Sequence, residues 1–207
     1  MRSTDQLVLN HHQAVQEVYK WTPQTRDYDS LLHVGARWVP YTMHFHEKNF
    51  RSKAINTDAL GLRYSEHNGV RFSVAERPLR GKVNLLVGGS TALGVGASRD
   101  KFTVASRLNK LTGEVWLNFA GHGYNATQEI LMFLMHQRRL GDIGHVVVLS
   151  GINTLALEGT AQAFTSEHGG YYYSLEFQHY MNRFNQDLRC KKKHLRPPRH
   201  KRVVATV

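Results

Sequence analysis

What this chain lacks narrows it first. Its single cysteine, Cys190, excludes an intrachain disulfide and any metal site built on several thiolates. No apolar run nears the ~20 residues of a membrane-spanning helix, so no span is expected. The first thirty residues have no basic start followed by an apolar core, so no signal peptide is expected either, and a cytoplasmic address is the default. Acids are missing from one place above all. Residues 189–202, "RCKKKHLRPPRHKR", carry eight Lys and Arg and neither Asp nor Glu. Taking those eight from the 27 basic residues leaves 19 against 16 acidic ones, so the formal charge of +11 falls to +3 for the rest. A nearly neutral body with a basic tail is not a basic binding face. The tail reads as solvated and disordered, and nucleic acid is not the expected partner.

What is present is enough for one well-buried domain, with an apolar fraction of 41% in 207 residues. Residues 1–80 read as an N-terminal extension. An amphipathic helix is expected over "LVLNHHQAVQEVYK" (7–20), then an irregular aromatic segment, then a β-hairpin turning at Asn68-Gly69. From 81 to 188 the text becomes regular. "VNLLV", "EVWLNFA" and "HVVVLSG" read as strands. Between them, "DKFTVASRLNKLTG" is a helix with Asp100 as N-cap and Gly113 as C-cap. "NATQEILMFLMHQRRLG" is another, with Ile130, Leu131, Leu134 and Met135 on one face. Apolar strands alternating with helices predict an α/β fold, a three-layer parallel sheet covered on both faces. Residues 189–207 are the tail.

Each predicted strand ends in a polar, glycine-containing turn. "VGGSTALGVG" after the first is not a Walker A loop, because Val95 stands where the phosphate-binding Lys belongs. It is not a dinucleotide fingerprint either, since the third glycine and the ribose-binding acid are missing. It does present Ser90 at the carboxyl edge of the sheet, as a nucleophile elbow would. The bland reading of Ser90 is a helix-capping hydroxyl. "NFAGHGYN" brings Gly123 to the same edge and "SGINT" brings Asn153. A hydroxyl, a close-approaching backbone and a carboxamide are the parts of an acyl-transfer site.

Together the three blocks resemble the SGNH hydrolases, the GDSL esterase superfamily, over residues 83–155. A weaker likeness to bacterial members, some of which act on acylated polysaccharides, runs back through "INTDALGLRYSEHNG". The resemblance implies a serine esterase needing no cofactor, acting on a small-molecule or carbohydrate ester. Ser90 would be the nucleophile, and the backbone N–H groups of Ser90 and Gly123 with the Asn153 side chain would form the oxyanion hole. The departures are Gly-Gly-Ser for Gly-Asp-Ser, Gly-Ile-Asn-Thr for Gly-x-Asn-Asp, and above all no clear Asp-x-x-His block to supply the base. "DIGH" (Asp142, His145) belongs at the wrong sheet edge. "EFQH" (Glu176, His179) lies in an aromatic amphipathic stretch that reads first as a helix packed on the sheet, and His179 is the weak candidate base. With three strands where the family has five, the chain reads as the front part of such a domain, truncated or diverged. The rival function is therefore a catalytically incomplete scaffold with a binding role or none. Two further features are weaker. His44 and His46 have metal-ligand spacing without an evident third ligand, and His122 is within reach of a substrate.

Overall fold

The structure is a computed structural model that describes residues 4–34, 37–39, 43–76 and 81–158. His179, Glu176 and the basic tail lie outside the described residues. Helix α1 (Thr4–Trp21) and the short α2 (Thr25–Asp29), continued by a π-helical turn at Ser30–Val34, precede two antiparallel hairpins. The first pairs β1 (Arg37–Val39) with β2 (Met43–Phe45), and the second pairs β3 (Ser65–His67) with β4 (Val70–Phe72). Asn68 and Gly69, both at positive φ (49° and 77°), make the two-residue turn that the Asn-Gly pair predicts.

The centre is a three-stranded parallel sheet in the order β6-β5-β7, formed by β5 (Val83–Gly88), β6 (Trp116–Ala120) and β7 (Ile143–Leu149). β5 lies in the middle, and the chain leaves it in one direction to reach β6 and returns past it to reach β7. Right-handed crossovers in opposite directions put their helices on opposite faces. Accordingly α3 (Ser90–Leu93) and α4 (Val104–Thr112) pack Ala92, Leu93 and Ala105 on the Leu86/Ala120 face. Helix α5 (Ala126–Leu140) packs Met132 and Leu140 on the face of Leu85, Val87, Leu117 and Phe119. A last helix, α6 (Ile152–Glu158), follows β7. This is α/β architecture with a parallel sheet. Among the described residues no helix is long and apolar enough to cross a membrane.

The segment before residue 81 shares this core. Phe45, Leu62 and Val74 are buried in the same cluster as Val83, Leu85 and Leu117. Buried Asp58 organises its loops, with Oδ1 accepting from the Leu60 and Leu62 amides and Oδ2 from that of Ala75.

Three expectations are revised. Thr103, not Asp100, caps α4 by accepting from the Ser106 amide, because Asp100 turns inward to a buried arginine. On α5 the residues Ile130, Leu134 and Met135 are exposed, and Met132 and Leu140 face the sheet. Coverage on both faces holds for β5 and β6 but not β7. Val146, Val147 and Val148 are exposed, since α3, α4 and α5 pack over β5 and the other edge strand, β6, rather than over β7.

Candidate functional site

The site is built where the three strands end. At Gly88 the last residue of β5 passes so close to β7 that a Cβ would stand 2.1 Å from the Leu149 carbonyl oxygen, and φ is +153°. Only glycine allows that approach. The chain then turns through Gly89 and enters α3 at Ser90, which is partly exposed at the carboxyl edge. In an open sheet of this winding, the crevice beside the central strand's end is where ligands bind.

The β6 end is held to β5 by the Gly121 N–H donating to the Gly88 carbonyl at 3.1 Å. A Cβ on Gly121 would meet the Tyr124 ring at 2.2 Å, so this glycine makes room for the ring to fold back under the turn. Tyr124 is buried and stacks parallel to His46, centroids 6.1 Å apart. Burial pushes its phenol well above the ordinary value, with only a lesser opposing pull from Arg37 and Gln128. His46 is buried and its Nε2 accepts from the His122 backbone N–H at 3.1 Å, which puts the ring proton on Nδ1. The histidine pair thus has a partial answer. His46 fixes the glycine turn from behind, His44's side chain is outside what is described, and no group of three metal ligands occurs among the described residues.

The β7 end contributes Asn153. Its side chain is buried and Nδ2 donates to the Tyr124 carbonyl at 2.8 Å. The space a Cβ on Gly89 would occupy is 2.9 Å from Asn153 Nδ2 and 3.3 Å from Tyr124 O. Residues 89, 124 and 153, one from each strand end, therefore meet within van der Waals distance. Ser90 and Gly123 are their immediate chain neighbours. A cleft of about 140 Å³ opens here, lined among others by Ser90, Tyr124, Ser150 and Asn153. Gly123 has φ +69° in the turn beside it. Among the described residues, neither the Ser90 nor the Gly123 N–H makes an internal backbone bond. Backbone donors, a carboxamide with one N–H left over, and a hydroxyl in a small cleft can stabilise an oxyanion.

No imidazole lines this cleft among the described residues. His145 stands at the amino end of β7, against Trp116, with Asp142 bonded to the start of β5, so "DIGH" is at the opposite edge from Ser90. His122 is half-buried on the glycine turn. Two features escaped the sequence reading. Glu129 of α5 is buried and accepts from the Ser150 hydroxyl at the rim, its carboxyl raised above the ordinary value by burial. Arg63 and Tyr28 reach the far end of α3. Nothing in the spacing of charged residues signals either.

No family model matches this chain, and neither does any curated protein.

Proposed function

We propose that the chain is a serine esterase of the SGNH type, hydrolysing or transferring a short O-linked acyl group, with an acylated carbohydrate as the substrate class. The observation that carries this reading is the convergence of Gly89, Tyr124 and Asn153 from three successive strand ends, where Asn153 Nδ2 donates to the Tyr124 carbonyl at 2.8 Å and both lie against Gly89, in one cleft with Ser90. Ser90 Oγ attacks the ester carbonyl carbon and loses its proton. The tetrahedral oxyanion is held by the N–H groups of Ser90 and Gly123 and by the Asn153 carboxamide. Its collapse breaks the C–O bond, releases the alcohol with a proton, and leaves an acyl-serine that water or a second alcohol cleaves. The cleft's 140 Å³ suits an acyl group of a few carbons. No imidazole lines the cleft among the described residues, and His179, outside them, is the candidate proton acceptor.

Hydrolysis of a chromogenic acetate by the full chain is the test. Ser90→Ala should abolish turnover, and Asn153→Ala should lower it about 10²–10³-fold with a native circular dichroism spectrum. Equal rates for wild type and Ser90→Ala would remove the reading. That outcome would favour the incomplete scaffold, which the lack of an imidazole lining the cleft among the described residues supports.

A further inference from the structure

The one-turn helix that presents Ser90 is too short to hold itself. Four residues form no stable helix alone, and its last carbonyls have no partner within it. They are taken instead by buried side chains from elsewhere. Arg63 Nη1 donates to the carbonyls of Leu93 (3.0 Å) and Gly94 (2.8 Å). The Tyr28 hydroxyl bridges those of Gly94 (2.9 Å) and Ala97 (2.7 Å). Asn118 Nδ2 lies 3.2 Å from the carbonyls of Ala92 and Leu93.

Arg63 is the hub. It is fully buried, the largest such side chain among the described residues, and every one of its nitrogens is used. Nε donates to Asp100 Oδ1 at 3.0 Å, Nη2 to the Ala54 carbonyl at 2.7 Å, and Nη1 also to the Tyr28 oxygen at 3.0 Å. Asp100 is held in turn by the Asn56 backbone N–H (3.2 Å) and side-chain Nδ2 (2.7 Å). A buried ion pair is a poor device for stability alone, because its desolvation offsets its attraction and an apolar pair of the same volume would fill the space as well. What an apolar side chain cannot do is supply a rigid planar fork that bonds several fixed oxygens at once.

We infer that Arg63 is a positioning residue for Ser90, acting through the carbonyls at the end of α3 rather than on substrate. The catalytic part of this inference rests on the esterase reading, and the positional part does not. Residues 28, 54, 56 and 63, all from the segment before the sheet, thereby become parts of the site's support. A misplacement of about 1 Å at a reacting group can cost about 10²-fold in rate.

The experiment combines hydrogen exchange with Ser90 labelling by a fluorophosphonate, both on the full chain, for wild type, Arg63→Met, Arg63→Lys and the milder Tyr28→Phe. The reporting amides are those of Leu93, Gly94, Val95 and Ala97, whose acceptors are the carbonyls of Gly89, Ser90, Thr91 and Gly94. They should exchange at least ~10-fold faster in Arg63→Met and Tyr28→Phe while the β5 and β6 amides keep their protection. Arg63→Lys should restore the unfolding midpoint by restoring the charge, but not the protection at 93–97, because one ammonium cannot replace the fork. Ser90 labelling should slow about 10²-fold in the same variants. If 93–97 keep wild-type exchange, or if all three strands lose protection equally, Arg63 serves stability only and the inference fails. Should Arg63→Met not fold, Tyr28→Phe and Arg63→Lys decide the same point. A wild-type chain never labelled at Ser90 would remove the esterase reading, and the exchange data would still decide the positioning.

Discussion

At the residue scale, the rim of the cleft contains a group whose charge depends on pH. Glu129 lies buried with its carboxyl receiving the Ser150 hydroxyl, and Ser150 lines the same cleft as Ser90. Burial raises the carboxyl, and the hydrogen bond pulls less strongly the other way. The folded protein therefore binds this proton more tightly than the unfolded chain does. Between the two values, stability falls as pH rises, and below the unfolded-chain value the full contribution is present. Glu129→Gln keeps an acceptor for Ser150 but no charge, so the wild-type urea midpoint should fall relative to that of the variant as pH rises above the ordinary glutamate value. A wild-type midpoint that does not decline relative to Glu129→Gln would contradict the assignment. A lone glutamate on a helix gives no hint of this in the sequence, because its environment is supplied by a strand end 21 residues later. The placement of Ser90, Gly123 and Asn153 at one edge of the sheet was legible for the opposite reason. Each sits two to four residues past a strand end, and strand ends are what an apolar run reveals. Gly88→Ala tests the tightness of that packing. Its methyl would stand 2.1 Å from the Leu149 oxygen, so overpacking should lower stability by about 1–3 kcal/mol, read from the unfolding midpoint.

At the element scale, the turn carrying the site is fastened to α5. The Asn125 side chain accepts from the Gln128 amide at 3.0 Å, while the Thr154 hydroxyl of α6 accepts from that of Ala126 at 3.1 Å. Two otherwise orphaned amides are thus satisfied from two different strand ends. Asn125→Ala should cost about 1 kcal/mol in denaturant unfolding. It should also raise exchange first in the opening turn of α5, and a uniform rise along the helix would show that the cap is not what limits it. The sequence predicted where α5 and α4 lie but not how they start or face. Asp100 stands before an apolar run just as a cap would, yet a buried guanidinium 37 residues earlier claims its carboxylate, leaving Thr103 to cap. On α5 the apolar residues run nearly all the way round, so helical spacing selects no single face. Contact with β5 and β6 makes that choice, favouring Met132 and Leu140.

At the scale of the whole molecule, three continuous apolar strands alternating with helices were enough to predict a parallel sheet, whereas the lateral order β6-β5-β7 is a property of crossovers, which no strand's own sequence records. The same order explains the uneven burial. β5 is covered on both sides and both faces, while β7 leaves Val148 64% exposed and Val146 49% exposed, with Ile130 and Leu134 of α5 and Leu155 of α6 exposed as well. An edge strand with this composition invites pairing, and a charge on its face is the usual defence. Val148→Lys therefore separates burial from composition. Exposure of this degree predicts a change in unfolding free energy within about 0.5 kcal/mol and less association at high concentration by light scattering. The register partner Val87, only 7% exposed, should tolerate no such change, and Val87→Lys should abolish folding. If Val148→Lys instead unfolds the chain as Val87→Lys does, the β7 face is covered in solution by residues beyond Glu158 or by a second copy. Repeating the measurement over a hundredfold range of protein concentration distinguishes the two, because only the second makes the midpoint depend on concentration.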